Sequence, residues 1–600
     1  LISRHTNAFH ISDIAIDYLQ NSYEKLLNDY KNGLYVLTEN LSPESRNKYI
    51  NFKALLQISD WTASGHNKLP TGIVYNQAFL KNKILAKINS ENIQKDKPLL
   101  QHVVFKEFQK RSKTQENVIA IAPTGSGKTE AALLWASAKK ENERIIYLLP
   151  TRVTSNAIYQ RLKQYFGEEN VAIIHSSAFF FRKEFSANYE KKDYLLDKTF
   201  FKNINVCTID QVLTQGFNLG FWELKTFHQK NAKFIIDEIH LYEPYTLGLI
   251  IATINYLQKE FGASFYIMTA TMPRVLKKLI SFNLINPVLI EDMELLKNAR
   301  NEFQVRDYEI NDATNEILNA INHKKKVLVV VNTVDAAIGL FIKFKQLFGE
   351  KEINLLCYHS RFIQKHRQTK EEEIFKLERS RNPGILIATQ VVEVSLDIDF
   401  DILFTENAPI DAIIQRAGRV NRKRKKPDST VIVFKHSEVS KKYIYNTGLI
   451  LENTFSILTK NNGKRLTEEN LTTMVDEVYK DYNIETDNEF VKGINIYKEE
   501  QERLSFIKDN STNEKTMTRL NMDSVSVIPL INYTTNENYF ENLKSSEPFE
   551  VAKHELSIRK SKEYKYPIQK VKLGNFIDVY YDEEVGLDFK HGGEIITVFL

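Results

Sequence analysis

Apolar positions divide the chain into three textures. Residues 11 to 30 set Ile11, Ile14, Ala15, Tyr18, Leu19, Tyr23, Leu26, Leu27 and Tyr30 on one face at helical spacing, and a second helix is predicted over about 47 to 63. A polar stretch with Pro70, Gly72 and SENIQKDKP then separates this helical front from a different pattern. From about 118 onward, short continuous apolar runs alternate with longer helical stretches: VIAIA, IIYLL, VAII, INVCT, KFIID and FYIMT, then KVLVVV, INLLCY, GILIAT, DILFT and TVIVF. Continuous runs suit strands buried on both faces, and intervening helices suit parallel sheets. The expected fold is therefore α/β with two tandem parallel-sheet domains, and their boundary falls near 280 to 310. Past 435 the pattern turns helical again, and DSVSVIPLI and NFIDVYY predict a small mixed domain at the end. The expected segments are 1–70 (helical), 71–95 (linker), 96–295 and 296–436 (the two α/β domains), 437–515 (helical linker) and 516–600 (C-terminal domain).

Composition narrows this picture only a little. The 600 residues are 42% hydrophobic, ample for real cores. Lys and Arg total 81 against 76 Asp and Glu, so affinity for polyanions has to come from local grooves and not from bulk charge. Cys207 and Cys357 lie in separate segments with no metal-ligand spacing, which suits a reducing compartment, and the cytoplasm is the expected location. No apolar run approaches the roughly 18 residues of a membrane span, and LISRHTNAFH lacks the apolar core of a signal peptide. The first residue is Leu and not Met, from which a missing N-terminal portion is expected.

The chemistry is concentrated in a few short motifs. VIAIAPTGSGKTEAALLWA reads as strand, tight loop and helix, and Ala122, Pro123, Thr124, Gly125, Ser126, Gly127, Lys128 and Thr129 fit the phosphate-loop pattern with Ala in place of its first Gly, followed by Glu130. Backbone N–H groups of Gly125 to Lys128 would cradle phosphates at a helix N-terminus, Lys128 would neutralise the β and γ oxygens, and the Thr129 hydroxyl would hold Mg²⁺. KFIID ends in Asp237, with Glu238 next in DEIH. At the C-terminal edge of a parallel strand, Asp237 can bind Mg²⁺ and Glu238 can orient the attacking water. In DAIIQRAGRVNR, Arg416, Arg419 and Arg422 recur every third residue, a spacing that would put their guanidinium groups on one face, able to reach a γ-phosphate across a cleft. The following Lys423 to Lys426 run is either a solvated loop or a phosphate contact. One domain would thus hold ATP while the other supplies arginines, and a cleft that cycles can ratchet a strand. LLPTRVTSNAIYQRL, VCTIDQVLTQG, IMTATMP and IATQVVEVSLDIDFD each follow a predicted strand, where their hydroxyls and guanidinium groups suit a phosphate backbone.

In this order along one chain, these motifs resemble a superfamily 2 helicase over about 95 to 435. More narrowly, the chain resembles the helicase of type I CRISPR interference, through LPTRVTSNAIYQRL, DEIHLYEPY, HSRF (359 to 362), VVEVSLDIDFDILFTENAPIDAIIQRAGRVNR, TRLNMDSVSVIP and YYDEEVGL. The resemblance implies two RecA-like domains, ATP and Mg²⁺ as cofactors, 3′ to 5′ movement on single-stranded DNA, recruitment by an RNA-guided surveillance complex, and monomeric action. Carried over by position, it implies an adenine-recognising glutamine at Gln101, with Gln109 competing for the role. It places Asp397 on the ribose side, Gln415 at the γ-phosphate, and Arg419 and Arg422 as arginine fingers. Thr269 and Thr271 would couple hydrolysis to domain movement, and Arg152, Thr208 and Thr389 would line the DNA path.

The same family generally carries an N-terminal HD nuclease that holds divalent, often transition, metals. None of the 13 histidines here is followed directly by Asp, so the HD dyad is absent from this sequence. ISRHTNAF and ISDWTAS resemble the rear of that domain, in which Asp60 would be a metal ligand. On helical spacing Asp60 lies at the edge of the face made by Phe52, Leu55, Leu56 and Ser59, aimed toward an interior pocket; a capping or salt-bridged Asp is the alternative. Competing functions are another superfamily 2 enzyme, such as an RNA helicase or restriction-type translocase, and a nucleic-acid-binding scaffold without turnover.

Overall fold

The computed structural model describes residues 43–590 apart from 66–69, 95–96, 124, 187, 218, 350–352, 395, 446–447, 503–517, 520–523, 531–547, 563–564 and 572–573. The helix expected over 11 to 30 lies outside the described residues. Helix α1 (Pro43–Gly65) buries Ile50 and Ala54, and its Tyr49 and Trp61 rings pack on Trp222 and Phe221 of the first α/β domain.

That domain carries helix α2 (Glu107–Arg111) and a sheet of β1 (Val118–Ile121), β2 (Ile145–Leu149), β3 (Val171–Ile174), β4 (Ile204–Thr208), β5 (Lys233–Asp237), β6 (Ser264–Thr269) and β7 (Val288–Glu291). The spatial order is β3-β4-β2-β5-β6-β1-β7, and every pair is parallel. Nearly every residue of the central strands is buried because helices cover both faces, which is why the sequence shows unbroken apolar runs. Helices α3 (Lys128–Ala136) and α4 (Arg152–Phe166) cover one face, and α5 (Pro244–Phe261) the other.

The second domain has the order β10-β11-β9-β12-β13-β8-β14. Its strands are β8 (Ala299–Glu309), β9 (Lys326–Val330), β10 (Asn354–Tyr358), β11 (Gly384–Ala388), β12 (Ile402–Glu406), β13 (Thr430–Lys435) and β14 (Lys464–Thr467), of which only β14 is antiparallel to its neighbour. Helix α6 (Ile410–Ala417) follows β12. Strands β7, β8 and β14 have no counterpart among the apolar runs read from sequence. They lie at or near sheet edges, where burial is partial and the pattern correspondingly weak.

Residues 437–515 do not form one linker. Helices α7 (Gly448–Lys460) and α8 (Glu468–Val478) pack on the second domain, whereas α9 (Asn488–Glu502) returns to the first. The return is a close helix crossing. A Cβ on Gly248 of α5 would lie 2.3 Å from the Phe490 carbonyl, and one on Gly493 of α9 would lie 2.2 Å from the Tyr245 carbonyl, so each backbone fits only against a glycine.

The C-terminal region has a sheet ordered β16-β15-β18-β17 and a hairpin. The sheet strands are β15 (Ser524–Pro529), β16 (Leu556–Arg559), β17 (Ile568–Val571) and β18 (Gly574–Ile577); the hairpin pairs β19 (Tyr581–Asp582) with β20 (Gly586–Leu587). The hairpin is fastened to HSRF of the second domain. Leu587 N donates to the Arg361 carbonyl at 2.9 Å, and the Tyr581 hydroxyl lies 2.9 Å from His366 Nδ1.

Candidate functional site

In the first domain, the turn between β1 and α3 is shaped by Gly125 and Gly127, at φ +85° and +93°. Ser126 N donates to the Pro123 carbonyl, and Lys128 Nζ donates to the Ala122 carbonyl at 3.1 Å. A Cβ on Gly127 would meet Gln109 Nε2 at 2.4 Å, and that amide donates to the Gly127 carbonyl. Gln109 is thus seated against the phosphate loop from α2, whereas Gln101 is exposed, and neither lines the cavity described below. Gln109 is turned inward with the buried Phe108 that precedes it in the helix. Thr124 lies outside the described residues. Glu130 is buried and its carboxylate is ion-paired with Arg161 of α4, a partner that sequence reasoning missed.

Asp237 ends β5, and Glu238 follows in the left-handed region at φ +51°, a conformation that a non-glycine residue holds only under surrounding constraint. Lys128 Nζ lies 3.5 Å from Glu238 Oε1. Burial, reinforced by the charge of Glu238, pushes the Asp237 carboxyl up to about 7. Burial also works against Glu238, but the Lys128 charge, helped by the Ala270 N–H, outweighs it and holds that carboxyl below its usual range. The pair therefore carries a protonated and an ionised member near neutrality. Asp237 Oδ1 and Ser126 Oγ are buried without a protein partner.

The second domain faces these groups. A cavity of about 410 Å³ between the domains is lined by Gly125 to Glu130, Asp237 and Glu238 on one side and by Asp397, Gln415, Arg419 and Arg422 on the other. Arg422 Nε contacts Asp397 Oδ1 at 2.8 Å, and Arg419 donates to the Glu393 carbonyl. Burial and the neighbouring Arg422 push the Arg419 guanidinium down to about 10. Arg419 Nε and Arg422 Nη1 are buried with no partner among the described residues.

Arg416 does not share this face. It is fully buried in its own domain, with Nε on Glu393 at 2.8 Å, Nη1 on Thr405 and the Glu406 carbonyl, and Nη2 on Asn332 and Tyr445. Spacing of three misleads here because α6 ends at Ala417, and the chain then turns before Arg419. Nor is the basic run after Asn421 simply solvated: Arg424 pairs with Glu468, and Lys426 with Asp399 and Asp401.

His240 joins the halves. Thr269 Oγ1 donates to the Thr271 carbonyl at 2.8 Å, so it accepts from His240 Nδ1–H, and the opposite ring nitrogen is left to accept from the Gln415 amide across the cleft. Burial lowers the pKa of the imidazole, favouring the neutral form that this arrangement requires. The Thr271 hydroxyl is buried without a partner.

Arg152 starts α4 and Thr208 ends β4, both at the C-terminal edge of the first sheet; Thr389 follows β11 in the second. Thr208 and Thr389 are buried, while the exposed Arg152 lies close enough to Arg367 of the second domain for the two charges to interact. Beside them, Arg519 binds both oxygens of Asp210 at 3.0 Å and donates to the Pro150 carbonyl at 2.9 Å, tethering Thr518 and Arg519 to the first domain.

Asp60 is exposed, and so are Phe52, Leu55 and Leu56, at 74%, 50% and 59%. The buried residues of this helix are Ile50 and Ala54, and Ile50 enters the core of the first domain. Among the described residues no group of three or more His, Cys, Asp or Glu side chains is placed to hold a metal ion.

Two family models match the chain: DEAD/DEAH box helicase over residues 100–279, and CRISPR-associated nuclease/helicase Cas3, C-terminal, over residues 323–425. A putative CRISPR-associated nuclease/helicase Cas3 of Methanocaldococcus jannaschii is 34% identical over 417 residues, covering 63% of this chain and 54% of that protein. The CRISPR-associated nuclease/helicase Cas3 of Methanothermobacter thermautotrophicus is 30% identical over 390 residues, covering 61% and 46%. The chain thus spans about half the length of these relatives. A crystal structure of T. fusca Cas3 with AMPPNP is similar in fold, with TM-score 0.65 and 18% identity over 88% of this chain and 72% of that one.

Proposed function

We propose that this chain, which belongs to the Cas3 family of CRISPR-associated helicases and carries its helicase region, hydrolyses ATP to move 3′ to 5′ along single-stranded DNA. The observation that carries the proposal is the cleft itself, with Lys128, Asp237 and Glu238 from one domain opposite Gln415, Arg419 and Arg422 from the other. Lys128 would neutralise the β and γ phosphate oxygens, and Glu238, held ionised, would orient the attacking water. Arg419 and Arg422 would offer their unpartnered nitrogens to charge that builds on the γ-phosphate. His240 would report the change to both domains through Thr269 and Gln415. Gln109 would take the place assigned to Gln101 beside the nucleotide.

The residues present fit a hard cation: Thr129 and Asp237 would hold Mg²⁺, and the unpartnered buried Oδ1 of Asp237 is a suitable ligand. Bound there, Mg²⁺ supplies charge neutralisation across the phosphates. A transition-metal nuclease centre does not fit the described residues, since Asp60 faces solvent without partners of that kind. Arg152 and Arg367 from the two domains would grip successive phosphates of the strand. Recruitment by an RNA-guided surveillance complex, action as a monomer in the cytoplasm, and degradation of target DNA together with a complete HD domain belong to the same proposal.

The test is ATP turnover with single-stranded DNA, single-stranded RNA or neither. Stimulation by DNA supports the proposal; stimulation by RNA alone points to an RNA helicase, and turnover equal in all arms removes the translocase reading.

A further inference from the structure

The register of β2 on β5 sets Tyr147 opposite Ile235, so its side chain shares a sheet face with Asp237 two residues further on. The ring is fully buried, and its hydroxyl donates to Asp237 Oδ2 at 3.2 Å. Asp237 Oδ1 is left buried and without a partner. The Tyr147 hydroxyl therefore holds one oxygen of the carboxylate that the DEIH strand would turn toward a cation and leaves the other without a protein partner.

We propose that Tyr147 is a positioning residue for the Mg²⁺ site, fixing Asp237 through Oδ2 so that Oδ1 faces the cleft. This rests on the reading of the cleft as an Mg²⁺-nucleotide site. A carboxylate with one oxygen committed cannot rotate freely about its last bond. Tyr147 is fully buried, so it acts only through Asp237.

Tyr147→Phe removes the hydroxyl and keeps the ring that packs the core. Tyr266→Phe is the control: Tyr266 is equally buried on β6, which flanks β5 on the side away from β2, but its hydroxyl lies 2.9 Å from Ser112 Oγ. Three readouts are made on the full chain: binding of a fluorescent ATP analogue in EDTA, the Mg²⁺ concentration that half-saturates the increase in that binding, and the Mn²⁺ electron paramagnetic resonance signal of the nucleotide complex. The expected result for Tyr147→Phe is unchanged binding in EDTA, a half-saturating Mg²⁺ concentration raised about tenfold, as is usual on losing an outer partner of a metal ligand, and an altered Mn²⁺ signal. Tyr266→Phe is expected to match the parent in all three. A parental Mg²⁺ response in Tyr147→Phe overturns the inference, as does an equal shift in Tyr266→Phe, which would make the effect one of core packing. A parent that binds the analogue with no Mg²⁺ dependence overturns the underlying reading of the site instead.

Discussion

Asp237 and Asp60 are carboxylates at opposite extremes of environment. Asp237 ends a central strand, bonded to Tyr147, adjacent to an ionised Glu238 and within the field of Lys128. Asp60 lies near the end of a surface helix, exposed, with its backbone carbonyl accepting from Ser64 Oγ at 2.6 Å. The first environment perturbs a carboxyl; the second exposes one to solvent. What separates them is the origin of the neighbours. Strand order brings the C-terminal ends of β1, β2, β5 and β6 together, whereas among the described residues Asp60 has only its own turn of α1.

The sharpest way to break this contrast is substitution at each position. Asp237→Asn is expected to lower Mg²⁺-dependent ATP turnover by roughly 10²–10³-fold, the scale of losing one preorganised electrostatic group, while Asp60→Asn leaves turnover unchanged. Loss of turnover from Asp60→Asn would give the exposed carboxylate a role that its surroundings do not suggest.

A second contrast lies within QRAGRVNR. Arg416→Ala is expected to cost about 3–5 kcal/mol of stability in denaturant unfolding, because Glu393 loses its buried partner. Arg419→Ala should unfold close to the parent but turn over far more slowly. Equal destabilisation by both would merge the two roles.

The pH dependence sharpens the Asp237 side. Its carboxyl holds a proton up to about 7 in the folded chain, against roughly 3.9 in an unfolded one. Between those values the folded state binds the extra proton, so this group's contribution to stability falls as pH rises. Mg²⁺ bound at Asp237, as proposed, would have to displace the same proton. Half-saturating Mg²⁺ should therefore rise about tenfold for each pH unit below 7 and level off above it, measured through analogue binding. A flat response would place the proton elsewhere.

The smallest effect is expected at the glutamines. Gln109→Ala should weaken ATP binding by about tenfold, the order of one buried hydrogen bond, and Gln101→Ala not at all; the reverse would restore the sequence expectation.

The central strands and the phosphate loop were legible because burial on both faces writes unbroken apolar runs, and because glycines at positive φ have few substitutes. DEIH was legible for the same reason, as its acids close such a run. The edge strands β7 and β14, and β8 beside β14, were not, since partial burial leaves no period to read. The split of residues 437–515 between two domains was also hidden: α7, α8 and α9 show similar amphipathic patterns, and sequence does not say which domain covers them. Tyr147 and Arg161 were missed because their partners are set by strand register and by helix packing across the loop. Arg416 was misread because helical spacing was extended past the residue at which the helix stops.

The account's central claim is that hydrolysis requires both halves of one cleft. Its most direct test measures ATP-analogue binding and single-turnover ATP hydrolysis with single-stranded DNA in the parent, Lys128→Ala and Arg419→Ala. The expected result is that Lys128→Ala loses both, whereas Arg419→Ala keeps binding within a few-fold and loses hydrolysis by roughly 10³-fold or more. Hydrolysis at the parental rate by Arg419→Ala would contradict the account.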